Sequence, residues 1–159
     1  MKPTALLAIA GSSMVIFSIF LCWGTADVNL YLGHRITSYS GLDLITDTEL
    51  SEYADVGTVP LCAAAVGAAC LALSVLPLFR TCRVGKVLSA VNIPLNASVV
   101  YLILSMRDGL SETLFVHKIF PLTVTADIGL WFCLAGCIVA IAGSLINIAI
   151  KEKRPADTN

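Results

Sequence analysis

Residues 128–150 read IGLWFCLAGCIVAIAGSLINIAI, a run without a single Asp, Glu, Lys or Arg. Wound as an α-helix, such a run reaches about 34 Å, enough to cross a hydrocarbon core of about 30 Å. In water, a helix that is apolar on every side must be buried on every side. Working back along the chain, the pattern recurs three times. Residues 4–24 and 59–79 carry no charge, and residues 84–105 carry only Lys86, near the start of that run. A charge at mid-span would cost roughly 2.5–3.5 kcal/mol, and none of the four runs has one there. No aqueous fold of 159 residues has a core able to hide four such runs. Charged residues make up 13% of the chain, about half the share usual in soluble domains. Lipid is therefore the expected solvent.

The sequence predicts a single all-α membrane domain over residues 1–159, a four-transmembrane-helix bundle with spans at 4–24, 59–79, 84–105 and 128–150. Two outer loops, 25–58 and 106–127, and a tail, 151–159, account for the rest. The first run is expected to stay as a span and not to be cleaved as a signal peptide. It is longer than the usual signal core of about 7–15 residues, and only Lys2 precedes it. Four spans put Lys2, Arg80, Arg83, Lys86, Lys151, Lys153 and Arg154 on one side, and Arg35, Arg107 and Lys118 on the other. The positive-inside rule makes the first side cytoplasmic. The expected location is the cell membrane, multi-pass, with both termini in the cytoplasm. The outer loop 25–58 then carries Asp27, Asp43, Asp47, Glu49, Glu52 and Asp55, which give that surface a negative field.

The fourth span has small residues at helical spacing: Gly129, Cys133, Gly136, Ala140, Gly143 or Ser144, then Asn147. The second has Ala63, Ala64, Gly67, Ala68 and Cys70. Such faces let helices approach closely, either within one bundle or between two copies of the chain. The third span is the most polar, with Ser89, Asn92, Asn96, Ser98 and Tyr101 around Pro94. Asn92 and Asn96 share a helix face, and Pro94 is expected to kink the helix. These residues form either interhelical hydrogen bonds or a polar path for a ligand or ion. The Asn96-Ala97-Ser98 sequon lies in the bilayer and is not expected to be modified.

Outside the membrane, Val28, Leu30 and Leu32 alternate with Asn29 and Tyr31. Gly33-His34 can turn the chain before Ile36, Ser38 and Tyr39, which predicts a β-hairpin. Ser40-Gly41 ends it. A short helix or turn follows around Leu42, Leu44 and Ile45, extending toward Leu50 and Tyr53, with Asp47 or Thr48 as a cap. Leu114-Phe115-Val116 and Ile119–Val124 are rich in β-formers, so the second loop is expected to add a strand. The result is a small extracytoplasmic antiparallel β-sheet from the two outer loops.

Catalytic chemistry has no visible seat. The six cysteines, Cys22, Cys62, Cys70, Cys82, Cys133 and Cys137, make no outer Cys-x-x-Cys. Cys133 and Cys137 lack further ligands for a metal. His34 and His117 are the only histidines, both in outer loops, which excludes haem ligation in a span. No acid lies in a span, as a proton-coupled exporter would need. No catalytic, cofactor-binding or metal-ligating residue is expected, and no nucleic-acid partner.

The chain resembles a diffuse group of small four-transmembrane-helix proteins of bacteria and archaea. The resemblance rests on Trp23 at the end of the first run, Ser40-Gly41-Leu42-Asp43-Leu44, Pro60-Leu61 and Ile128-Gly129-Leu130-Trp131. The layout is also similar to that of claudins, which have four helices and a first-loop sheet completed by the second loop. Claudins carry Gly-Leu-Trp and two loop cysteines. This chain has Gly41-Leu42-Asp43 and no loop cysteine, so the barrier role is not carried over.

Two readings follow. In the first, the chain is a non-enzymatic membrane protein with a structural or protein-interaction role at the cell envelope. Its partners are the lipid bilayer and another protein, or a second copy met through the outer sheet or the fourth span's small-residue face. Tyr31, Tyr39 and Tyr53 are of a type favoured in interfaces. In the alternative, it is a small transporter or channel component, with Asn92, Asn96 and Tyr101 lining a path.

Overall fold

The computed structural model describes residues 3–30, 33–46, 58–76, 82–113 and 122–150. Helix α1 (Pro3–Phe17) ends in a 3-10 turn, Ser18–Phe20, and runs into strand β1 (Cys22–Leu30). Strand β2 (Gly33–Ser40) and helix α2 (Gly41–Thr46) follow. Then come α3 (Thr58–Val75), α4 (Cys82–Thr113), β3 (Leu122–Ala126) and α5 (Ile128–Ala149). Among the described residues, three helices are long and apolar enough to cross a membrane, within Thr58–Val75, Val84–Ser105 and Ile128–Ala149, and α1 with its 3-10 turn is a shorter apolar helix.

The four long helices close a ring in which α1 packs on α3 and α5, and α4 packs on the same two. Each turns one stripe inward at heptad-like spacing. In α1 the stripe is Ala8, Gly11, Ser12, Val15, Ser18 and Ile19. In α5 it is Gly129, Leu130, Cys133, Gly136, Cys137, Ala140, Gly143 and Ser144. In lipid, burying apolar surface gives helices no advantage over tails, so close backbone approach has to hold them together. The α1–α5 seam does this with glycine. A Cβ added at Gly136 would lie 2.9 Å from Gly11 O, and one at Gly143 would lie 2.7 Å from Ala8 N. The small-residue face of the fourth span is thus filled by α1. Self-association through that face, one of the two sequence alternatives, is corrected to packing within the bundle. The second span's thin surface is used the same way, with Gly67 against Val15 and Ile16.

The sheet is three-stranded and antiparallel, in the order β2-β1-β3. The hairpin pairs Leu30 with Gly33, so Gly33 begins β2 and does not form the turn. The second loop supplies the central strand's other neighbour, with Gly24 opposite Ala126 and Val28 opposite Leu122. That strand lies slightly later than the sequence places it, and residues 114–121 fall outside the described residues.

Two span boundaries move. The first helix stops by Phe20, not at residue 24, because Cys22, Trp23 and Gly24 belong to the sheet. Leu21 leaves the helix with φ −90° and ψ 161°. The apolar run continues past this point because Trp23 and Gly24 are buried in protein, and hydropathy does not distinguish that from lipid. The third helix runs on to Thr113, eight residues into the expected loop. Hydropathy there marks the end of the lipid, not of the helix. Pro94 faces outward and α4 is continuous through it, so the backbone offers no broken-helix site.

Candidate functional site

Two arrangements concentrate the polar and the tightly packed side chains. The first is a hydrogen-bonded core inside the bundle. Asn92 and Asn96, 2% and 1% exposed, sit one turn apart on α4. Asn92 Nδ2 donates to Ser74 Oγ on α3 and to Ser144 Oγ on α5, each at 3.2 Å. Asn96 Nδ2 lies 3.0 Å from Asn92 Oδ1, 2.9 Å from Asn92 O and 3.2 Å from Cys70 Sγ. Ser74 in turn donates to Cys70 O at 2.7 Å. Below this, Asn147 Nδ2 donates to Ser89 Oγ at 2.8 Å. Each amide is thus committed to a neighbouring helix or to its own, which is how polar groups in spans are normally satisfied.

Tyr101 does not belong to this set. It is 71% exposed and points away from the asparagines. The path lined by Asn92, Asn96 and Tyr101 is therefore corrected: the asparagines turn into the bundle and the tyrosine turns out. The physical reason is the helical period, which places Asn92, Asn96, Val99 and Ile103 on one stripe and Tyr101 off it. Substitution separates the roles. Asn92→Leu should destabilise the bundle by about 1–2 kcal/mol, from its two interhelical bonds. Tyr101→Leu should stay within about 0.5 kcal/mol. Unfolding titrations of both variants in mixed micelles test this.

The second arrangement joins sheet to bundle. Trp23 sits at a bulge, where pairing jumps from Cys22–Ser40 to Gly24–Tyr39 and leaves it with no opposite residue. Its side chain is 0% exposed, and its indole N–H donates to Ser18 O at 2.7 Å. Two glycines make room for the ring. A Cβ at Gly41 would lie 2.9 Å from Trp23 Nε1, and one at Gly129 would lie 2.6 Å from Trp23 Cδ1. Leu44 and Leu130 belong to the same buried cluster as Trp23, and Tyr39 packs against it. Tyr39 is thus half-buried structure and not a free contact residue, whereas Tyr31 and Tyr53 lie outside the described residues.

Asp127 closes the junction. Its Oδ1 accepts from Ile128 N at 2.7 Å and caps α5. Its Oδ2 accepts from Thr25 Oγ1 at 2.8 Å and Cys22 Sγ at 3.3 Å on β1. A matching cap starts α2. Ser40 N and Oγ donate to Asp43 Oδ2 at 2.9 and 2.7 Å, and Asp43 N donates to Ser40 Oγ at 3.1 Å. This is a reciprocal capping box, so the cap lies at the helix start. Asp47 and Thr48 lie outside the described residues.

Both carboxyls are held below the ordinary 3.8, Asp43 by the Ser40 side chain and then its backbone, Asp127 first by Thr25 and then by the Ile128 N–H and Cys22. Their contribution to stability is therefore complete above that ordinary value. It is lost as pH falls through the lower folded-state value. Melting temperature should be flat near neutrality and decline in acid below about pH 4, and Asp127→Asn should reduce the decline.

The motifs that carry the resemblance, Trp23, Gly41–Leu44 and Ile128–Trp131, converge on this junction except at Pro60-Leu61. Pro60 is buried in the first turn of α3, where a missing N–H costs nothing. Sequence reasoning missed the convergence and the Asp127 clamp. An Asp directly before an apolar helix is the signal that would have found the clamp. His34 lies in β2 opposite Asn29, and His117 lies outside the described residues. The chain matches no known protein family, no curated protein and no solved structure. None of these comparisons supports the claudin-like layout. By helix length and hydropathy the chain is an integral membrane protein.

Proposed function

We propose that the chain is a four-span, non-enzymatic membrane protein whose bundle holds a small extracytoplasmic sheet in fixed pose for contact with a protein partner at the cell envelope. The observation that carries this reading is the junction. Trp23, Gly41, Gly129 and Asp127 are spent on fixing the sheet to the helices. A sheet with no task would not call for such a fixture. For α1, the 15 α-helical and three 3-10 residues give about 28 Å at 1.5 and 2.0 Å per residue, close to the hydrocarbon thickness. With α1 as a span, seven of the ten Lys and Arg residues fall on the side opposite the sheet, and the positive-inside rule puts that side in the cytoplasm. The buried polar side chains of the described bundle are serines and asparagines, most of them hydrogen-bonded within it, which favours a structural role over catalysis.

Epitope tags on both termini should stay protected in intact cells and become accessible on permeabilisation. A terminus accessible from outside would overturn the orientation. For the interaction role, a photo-crosslinking residue at Ser38, exposed on β2, should give a discrete protein adduct in cells. The same residue at Leu145, on the outward face of α5, should give none. No adduct from Ser38 would sink the reading.

A further inference from the structure

One buried side chain from each helix meets at the centre of the bundle. Val15 and Ile16 of α1 lie against Gly67 of α3. The two helices are antiparallel, so one turn back to Ser12 corresponds to one turn on, to Cys70. Asn96 of α4 donates to the Cys70 sulfur. Gly11 packs against the Gly136–Ala140 turn of α5, which brings Cys137 to the same depth. Ser12, Cys70, Asn96 and Cys137 therefore form one layer, each buried.

Two atoms of this layer have no hydrogen-bond partner among the described residues: Ser12 Oγ, on a residue 0% exposed, and Asn96 Oδ1. Ser12 departs from its counterparts. Ser18 and Ser74 both return their hydroxyls to a carbonyl of their own helix. Asn96 has committed its amide hydrogens to Asn92 and Cys70, so its oxygen alone is left without a partner. Unpaired polar atoms are costly inside a membrane bundle.

We propose that this layer binds a water molecule, which donates to Asn96 Oδ1 and hydrogen-bonds the Ser12 hydroxyl. A neutral occupant fits and a cation does not. No Asp or Glu occurs in residues 3–20, 58–76, 84–105 or 128–150 to balance a buried charge, and one amide oxygen and one hydroxyl are too few ligands for a hard ion. Buried water with several polar partners is an ordinary structural component. The inference is independent of what meets the sheet.

The test is infrared spectroscopy of the full chain in lipid nanodiscs hydrated with D2O. A narrow O–D stretching band should appear, separate from bulk solvent, and move to lower frequency when the solvent oxygen is changed to 18-O. It should be lost in Ser12→Ala and in Asn96→Leu, with helix content checked by circular dichroism. Ser12→Ala is small enough to keep the fold if Asn96→Leu does not. Absence of an 18-O-sensitive band in the unmodified chain overturns the proposal, because Ser12 would then satisfy itself within α1. A band that survives unchanged in a folded variant also overturns it.

Discussion

Trp23→Ala should be the most damaging single truncation in the molecule, lowering stability by about 3–5 kcal/mol, the range for deleting a fully buried large aromatic. The ring is wholly enclosed, and the glycines beside it cannot collapse into the space because their backbones are fixed by pairing. Gly41 N donates to Leu21 O at 3.2 Å, and Asp127 N donates to Trp23 O at 3.1 Å next to Gly129. Loss of the indole also removes one of two donors to Ser18 O, leaving Leu21 N at 3.0 Å. Trp23→Phe should recover much of the packing but not that bond. Equilibrium unfolding in mixed micelles would give the energies. Proteolysis of the intact bundle would show whether the sheet detaches first. A Trp23→Ala protein as stable as the parent would mean that the ring does not pack where the structure puts it.

The second large effect is expected at the α1–α5 seam. Gly136→Val should cost at least the 1–3 kcal/mol typical of overpacking. The first added carbon already meets Gly11 O and Met14 Cβ at 2.9 Å and Val15 N at 3.0 Å. Two of these neighbours are backbone atoms, which cannot rotate away as a side-chain end can. The helices must separate, and separation also opens the contacts at Gly143 and Gly129. Ala97→Val, on the exposed face of α4, adds comparable bulk and should change stability by no more than about 0.5 kcal/mol.

These two sites show where reading the chain succeeds and where it stops. The helix at 128–150 is legible almost to the residue, since α5 spans Ile128–Ala149. Its small-residue stripe is legible too, though not whether α1 or another copy would fill it. The glycine periodicity states that a helix comes close without saying which one. The hairpin and its third strand are visible in β-forming residues and a glycine, with boundaries off by a few positions. The junction was not legible. Trp23, Gly41 and Gly129 are far apart in sequence, and each has an innocent local reading: an interfacial aromatic, a turn, a small residue in a span. Only the bulge at Trp23 turns the ring inward and brings them together. For Asn92 and Asn96 the shared face was readable, but their partners on α3 and α5 depend on the ring order of the helices, which no local pattern encodes.

The clamp at Asp127 has a mechanical consequence. Strand β1 follows α1 after the 3-10 turn and Leu21, and β3 leads through Asp127 into α5. The most closely apposed helices thus pass through short, hydrogen-bonded links into two strands that are zipped to each other. Sideways load on the sheet cannot be absorbed at a hinge. It arrives in the membrane as torque on the α1–α5 pair, so that whatever tilts the sheet tilts those two helices with it.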